Sequence, residues 1–106
     1  MPQFFVGDCG QLLRYHLVHP DPENPKGNPA VPCDLRGCEV ALIFTPRGQS
    51  AISKMAVIEH PAESGIIHYR IEPGLLSFAG QWTIRIRATS DGVLIAQGQD
   101  YIRVAP

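Results

Sequence analysis

Apolar and polar residues alternate along much of this chain, with the two-residue period of a β-strand. The clearest case is the segment 82–89, in which Trp82, Ile84, Ile86 and Ala88 alternate with threonines and arginines. This spacing collects the apolar side chains on one face of a strand, whereas a helix would scatter them around its circumference. The segment therefore predicts an antiparallel strand with one buried face.

Other segments follow the same period. Residues 39–45 are apolar on both faces, which predicts a strand that is central or covered on its second face. Residues 52–59 and 65–71 read as a hairpin, and Asp91-Gly92 predicts a second tight turn, with Gly98 as a bulge in the closing strand. The predicted strands lie at residues 12–18, 39–45, 52–59, 65–71, 82–89 and 93–104.

Two connecting stretches break the pattern. The segment from His19 to Pro32 contains five prolines and predicts an extended surface loop, because proline lacks the backbone donor and fixes φ. Residues 72–80 form a second connector, in which one helical turn would place Leu75, Leu76 and Phe78 over one end of the core.

The number and spacing of these elements predict a fold class. About seven short strands with regularly spaced turns are typical of an immunoglobulin-like antiparallel β-sandwich, with a small barrel as the alternative. An antibody-type domain is disfavoured, because no pair of cysteines brackets Trp82 at the required spacing. We expect an all-β protein whose residues 1–106 form a single domain.

Composition narrows the function classes. Ten glycines and ten prolines in 106 residues leave little room for long helices. Nine basic and ten acidic side chains give a net charge of −1, which argues against a dedicated nucleic-acid-binding protein. The sequence has neither the apolar stretch of a signal peptide nor that of a membrane helix, so we expect synthesis in the cytoplasm and no membrane partner.

The cysteines and histidines are the first candidates for chemistry. Cys9, Cys33 and Cys38 are odd in number and are expected to be reduced thiols. The spacing of Cys33 and Cys38, with His16 and His19 nearby in sequence, approaches that of zinc ligands. These residues are spread over several elements, however, and we expect no metal site.

Catalytic residues give an equally weak pattern. Cys9 with His16 or His68, and Asp8 or Asp34 as the third member, would supply the residue types of a nucleophilic triad. No motif fixes such a geometry, and the glycines around Asp8 and Cys9 are typical of a turn. We therefore expect a non-enzymatic protein without a catalytic site or a cofactor.

Partner contacts are the remaining possibility. The two N-terminal phenylalanines would pack as the first strand or anchor a neighbouring subunit, and the proline-rich loop has no role in the core. Arginines on the solvent face of residues 82–89, with Arg70 on another strand, would form a basic stripe. The predicted contact residues are Phe4, Phe5, Pro22, Pro25, Pro29, Arg85 and Arg87.

Five short motifs, taken together, resemble a known family. The start, residues 4–10 (FFVGDCG), resembles the F-x-x-G-D-x-G opening of immunoglobulin-like modules from phage baseplates and tails, such as the N-terminal domain of baseplate upper proteins. The later motifs follow in that family's order and extend the resemblance over residues 4 to 104. They are 34–37 (DLRG), 65–69 (GIIHY), 80–82 (GQW) and 91–92 (DG).

The resemblance implies a structural module of a phage or prophage tail, baseplate or fibre. Such a module would reside in the virion and contact other virion proteins or further copies of itself. In this family, the module is often the N-terminal part of a larger protein, in which it is joined to a helical stalk and a receptor-binding domain. The alternative is a carbohydrate- or surface-binding module on the same fold, for which the candidate aromatic residues are Tyr69, Phe78 and Tyr101.

Overall fold

The computed structural model describes residues 3–19 and 31–106, and within them the chain is all-β apart from one 3₁₀ turn at Ala62–Ser64. This confirms the predicted all-β class. The described strands are β1 (Gln3–Phe5), β2 (Leu12–His16), β3 (Val18–His19), β4 (Val31–Pro32), β5 (Glu39–Pro46), β6 (Ile52–Met55), β7 (Val57–Ile58), β8 (Ile66–Arg70), β9 (Gly80–Ser90) and β10 (Val93–Ala105).

The strands form two main sheets and a short ribbon. The larger sheet has the order β1-β10-β9-β5-β6, and the smaller has the order β2-β8-β7. Strands β3 and β4 pair with each other at the two ends of the proline-rich segment. All described pairs are antiparallel except β1 and β10, which run parallel.

The core lies between the two main sheets. Trp82, Phe44 and Leu42 of the larger sheet are fully buried, and the ring of Phe44 lies 5.7 Å from the ring of Tyr69 in the smaller sheet. The indole N–H of Trp82 donates to the carbonyl of Phe78 at 2.9 Å, so this buried polar group is satisfied. Alternation along β9 thus places its apolar face in the core, as predicted.

A polar contact also joins the sheets at one side. The hydroxyl of Tyr15, on β2, donates to Oδ2 of Asp100, on β10, at 2.8 Å. Burial of the phenol and its bond to the carboxylate both raise the pKa of Tyr15. The neutral phenol is therefore the form that connects the two sheets.

The predicted hairpin of 52–59 with 65–71 is only partly correct. Residues 52–59 divide into β6, which pairs with β5 in the larger sheet, and β7, which pairs with β8 in the smaller. Between them, the N–H of Ala56 still donates to Val40 of the larger sheet at 2.9 Å. The chain changes sheets directly after this hydrogen bond. Residues 52–59, one apolar run in the sequence, therefore contribute a strand to each sheet.

Two smaller predictions need correction. Gly98 is not a bulge but pairs regularly with Ile86, and the register shift lies between Leu94 and Ala96. Residues 72–80 contain no helical turn, and Phe78 is 45% exposed although Leu75 and Leu76 are buried as expected. Phe78 instead contributes its carbonyl to the indole of the buried tryptophan.

Candidate functional site

The two N-terminal phenylalanines lie on opposite faces of β1. Parallel pairing places Phe4 opposite Val104, and its side chain is 8% exposed within the core. The side chain of Phe5 is 54% exposed, while its N–H donates to Oδ2 of Asp8 at 2.9 Å. Of this predicted pair, Phe5 is accessible to a partner and Phe4 anchors the strand. Pro22, Pro25 and Pro29 lie outside the described residues.

The two predicted arginines lie in the middle of the larger sheet. Arg85 and Arg87 occupy the outward positions of β9, because their neighbours Ile84, Ile86 and Ala88 face the core. On this outer face, Arg85 is paired with Ile43 and Gln99, and Arg87 with Ala41 and Gln97. The structure therefore presents both guanidinium groups on one exposed surface, the outer face of the larger sheet.

A third arginine joins this outer face, and it is not the one expected. Arg103 is exposed between the buried Ile102 and Val104 of β10, on the strand next to β9. Arg70 lies on β8 of the other sheet and donates to the carbonyl of Gly10 at 2.7 Å. Alternation around residue 103 predicts that the side chain of Arg103 faces solvent. Only the sheet order, however, shows which arginines share a face.

The arginines of the outer face lack acidic partners among the described residues, since no carboxylate there lies within ion-pair distance of Arg85, Arg87 or Arg103. Several acidic side chains are instead engaged elsewhere. The pairs are Arg14–Glu59 at 2.8 Å, Arg36–Asp34 at 2.6 Å, Arg36–Glu63 at 3.3 Å and Lys54–Glu72 at 3.3 Å.

The pKa values follow from these pairs. The guanidinium of Arg36 lowers the pKa of Asp34, and that of Arg14 lowers the pKa of Glu59. These carboxylates are therefore ionised and paired with cations. The outer face of the larger sheet, by contrast, keeps an excess of positive charge although the whole chain has a net charge of −1.

Apolar side chains border the arginines on the outer face. Met55 is 56% exposed and pairs with Ala41, while Tyr101 is 41% exposed one strand away from β9. A shallow depression on this face combines aliphatic, basic and acidic groups. It is lined by Glu39, Ala41, Ile43, Met55, Arg87 and Thr89.

The aromatic residues considered for carbohydrate binding are only partly available. Phe78 and Tyr101 are exposed, but Tyr69 is 6% exposed and packs against Phe44. Burial, followed by the nearby carboxylate of Glu72, raises the pKa of Tyr69 to about 12. Tyr69 is thus a core residue and does not form part of an aromatic binding surface.

The cysteines and histidines are dispersed. Cys9 is exposed, Cys33 is buried and Cys38 is half-buried, and none of the three forms a disulfide. Within residues 3–19 and 31–106, no three side chains of His, Cys, Asp or Glu come together as a metal site would require. His68 instead contacts Oε2 of Glu59 at 3.1 Å. In the described part of the chain, no helix has the length and apolar character needed to span a membrane.

Comparison with known proteins gives a structural match. No protein-family model matches the chain, and no curated protein matches its sequence. A solved structure matches along the whole chain: the N-terminal domain of phage TP901-1 ORF48, with a TM-score of 0.69 and 13% sequence identity. The chain shares the fold of that phage domain. The match covers 100% of this chain and 85% of the other, and it confirms the resemblance to phage modules at the level of the fold.

Proposed function

We propose that this chain is a non-enzymatic structural module of a phage or prophage tail, baseplate or fibre. In the virion, the outer face of its larger sheet binds an acidic surface of a neighbouring virion protein. The excess positive charge of Arg85, Arg87 and Arg103 carries the proposal, because a locally unbalanced charged face is complementary to a partner of opposite charge. The shared fold with a phage protein domain supports the virion setting.

The surroundings of the arginines favour a protein partner. Arg87 lies beside Ile43 and Met55, so a docked surface would bury aliphatic area together with the guanidinium group. Arginine and methionine are enriched in protein–protein interfaces relative to the rest of the surface. A partner with carboxylates spaced to meet Arg85 and Arg87 would form charge-assisted hydrogen bonds with both guanidinium groups.

The strand order supports an immunoglobulin-like version of the fold. In that fold, strands B, E and D form one sheet and strands C, F and G the other, with C′ added in variable-type domains. The order β2-β8-β7 corresponds to B-E-D, and β10-β9-β5-β6 corresponds to G-F-C-C′. We propose that residues 1–106 form one such domain. Phe5 and the proline-rich loop at residues 19–32 would then extend the contact surface.

Neutralisation of the two central arginines tests the proposed contact. We expect the R85Q/R87Q variant to bind the acidic virion protein that is its partner roughly tenfold more weakly than the unmodified chain does, because two charges are removed from the interface. The measurement is titration calorimetry against each purified virion protein, at low and at high salt. Binding should also weaken as salt is added, since ions screen the attraction.

The control matches the change in net charge. The Q49E/S50E variant also lowers the charge by two, but it does so in the exposed β5–β6 turn. Equal weakening by both variants, or no effect of R85Q/R87Q, would contradict the assigned face. A glycan array provides the test of the carbohydrate alternative: specific glycan binding that survives R85Q/R87Q would favour that function instead.

A further inference from the structure

A row of long polar side chains crosses three neighbouring segments at one end of the larger sheet. Gln81 of β9 is paired with Arg103 of β10, and on its other side the N–H of Arg47, directly after β5, donates to the carbonyl of Gln81 at 3.1 Å. All three residues are exposed. Because adjacent strands lie about 4.8 Å apart, the Cα atoms of the two arginines are separated by roughly 10 Å, with Gln81 between them.

This row borders a cleft of about 760 Å³ on the surface of the protein. Beside the two arginines and the glutamine, the cleft is lined by the small residues Ala79, Gly80 and Ala105. Small residues next to a row of long side chains leave a concave space, which the long side chains border on one side. The cleft therefore combines two guanidinium groups, one carboxamide and the methyl groups of two alanines.

The charge of this cleft is positive. No carboxylate of the described residues, the terminal one at Pro106 included, lies within ion-pair distance of Arg47 or Arg103. A guanidinium group presents its N–H donors in a planar fork that matches the two oxygens of a carboxylate. The side-chain amide of Gln81 supplies further N–H donors between the two forks.

We propose that this cleft is a carboxylate-binding site. Arg47 and Arg103 bind the carboxylate oxygens from opposite sides, and Gln81 donates to them from the floor of the cleft. The methyl groups of Ala79 and Ala105 contact an aliphatic stem, which an aspartate or glutamate side chain has and a phosphate group lacks. A ligand of both characters covers the apolar lining without burying an unpaired polar group.

The occupant that we assign is an acidic side chain of the neighbouring virion protein. The cleft is continuous with the outer face of the larger sheet, because Arg103 belongs to both. The source of the carboxylate rests on the proposed function, whereas the preference of the cleft for a carboxylate does not.

Glutarate, which carries carboxylates on a three-carbon stem, is the probe for the site. Its uncharged diamide, glutaramide, is the matched ligand. We expect an NMR titration of the chain in about 0.1 M salt to show millimolar binding of glutarate, with shifts of the amides around Gln81 and Arg103, and no binding of glutaramide. R47Q and R103Q should each weaken glutarate binding about tenfold, because each removes a charge-assisted pair of hydrogen bonds.

R36Q is the control for the change in charge. Arg36 is exposed, is paired with Asp34 and Glu63, and does not line the cleft, so R36Q should leave glutarate binding unchanged. The proposal is overturned by absence of glutarate binding, by equal binding of glutaramide, or by equal effects of R36Q and the two cleft variants. Tighter binding of inorganic phosphate than of glutarate would likewise overturn the preference for a carboxylate on an aliphatic stem.

Calorimetry with the acidic virion protein separates this inference from the proposed function. If that protein supplies the carboxylate, R47Q should weaken its binding about tenfold, as R85Q/R87Q does. Weakening by R85Q/R87Q but not by R47Q would show that the assigned source is wrong while the proposed function stands. Glutarate binding lost in R47Q, with no effect of R85Q/R87Q on any virion protein, would support the carboxylate site and contradict the proposed function.

Discussion

Among the glycines that the structure describes, Gly65 is the one at which an added methyl group should destabilise the fold most. It follows the 3₁₀ turn with φ of 73°, and its carbonyl accepts from the N–H of Leu17 at 2.7 Å. A Cβ atom here would lie 2.5 Å from the carbonyl oxygen of Leu17 and 3.0 Å from the backbone N and O of Cys33. These atoms belong to the backbone and cannot rotate away, so the strands themselves would have to shift.

The expected cost of Gly65→Ala has two parts. The left-handed conformation disfavours alanine by about 1 kcal/mol. Displacement of Leu17 would also strain two hydrogen bonds, from Leu17 to Gly65 and from Cys33 to Leu17, each worth roughly 0.5–1.5 kcal/mol. We therefore expect Gly65→Ala to lower the free energy of unfolding by about 2–4 kcal/mol.

Gly37→Ala is the matched control for this substitution. Gly37 has φ of 71°, nearly the same backbone conformation, but nothing lies within 4 Å of the point that its Cβ atom would occupy. Only the conformational cost of about 1 kcal/mol should remain. Urea unfolding of both variants gives the comparison. Equal destabilisation of the two would show that the close approach to Leu17 and Cys33 does not exist in solution.

Two further predictions concern titration and thiol reactivity. Tyr15 and Tyr69 keep their protons in the folded state above about pH 10, where an unfolded tyrosine loses its proton, so the melting temperature should fall as pH rises from there. Tyr15→Phe should flatten this fall, and an equally steep profile would contradict it. A thiol reagent should modify exposed Cys9 at once but buried Cys33 only on unfolding; equal rates would refute the described burial.

Alternation in the sequence located the longer strands but did not assign them to sheets, and it missed the short pair β3 and β4. It predicted correctly that Ile84 and Ile86 face the core, because a period of two fixes the face of a side chain within its own strand. It joined β6 to β7, since nothing in an alternating run marks the residue at which the chain leaves one sheet for the other. It also grouped Arg70 with Arg85 for the same reason.

The proposed contact surface was predictable to the same degree. The outward positions of Arg85 and Arg87 follow from local pattern, but their separation from the acidic side chains depends on strands distant in sequence. Likewise, only the strand pairing shows that, among the described strands, β1 covers just the last residues of β10. Neither property is local, so neither can be derived from the spacing of residues along the chain.

The distribution of charge bears on the choice between a nucleic-acid and a protein partner more directly than the net charge does. A net charge of −1 argued against nucleic acid as a partner, yet the outer face of the larger sheet carries Arg85, Arg87 and Arg103, while several acidic side chains are paired with cations elsewhere. Protein surfaces that bind nucleic acid place basic groups against many phosphates, and each such contact adds to the affinity. Here Arg87 lies beside the aliphatic side chains of Ile43 and Met55. A phosphate backbone docked on those side chains would lose hydrogen bonds to water without gaining others in exchange. The proposed partner is therefore an acidic protein surface, which would cover both kinds of group at once.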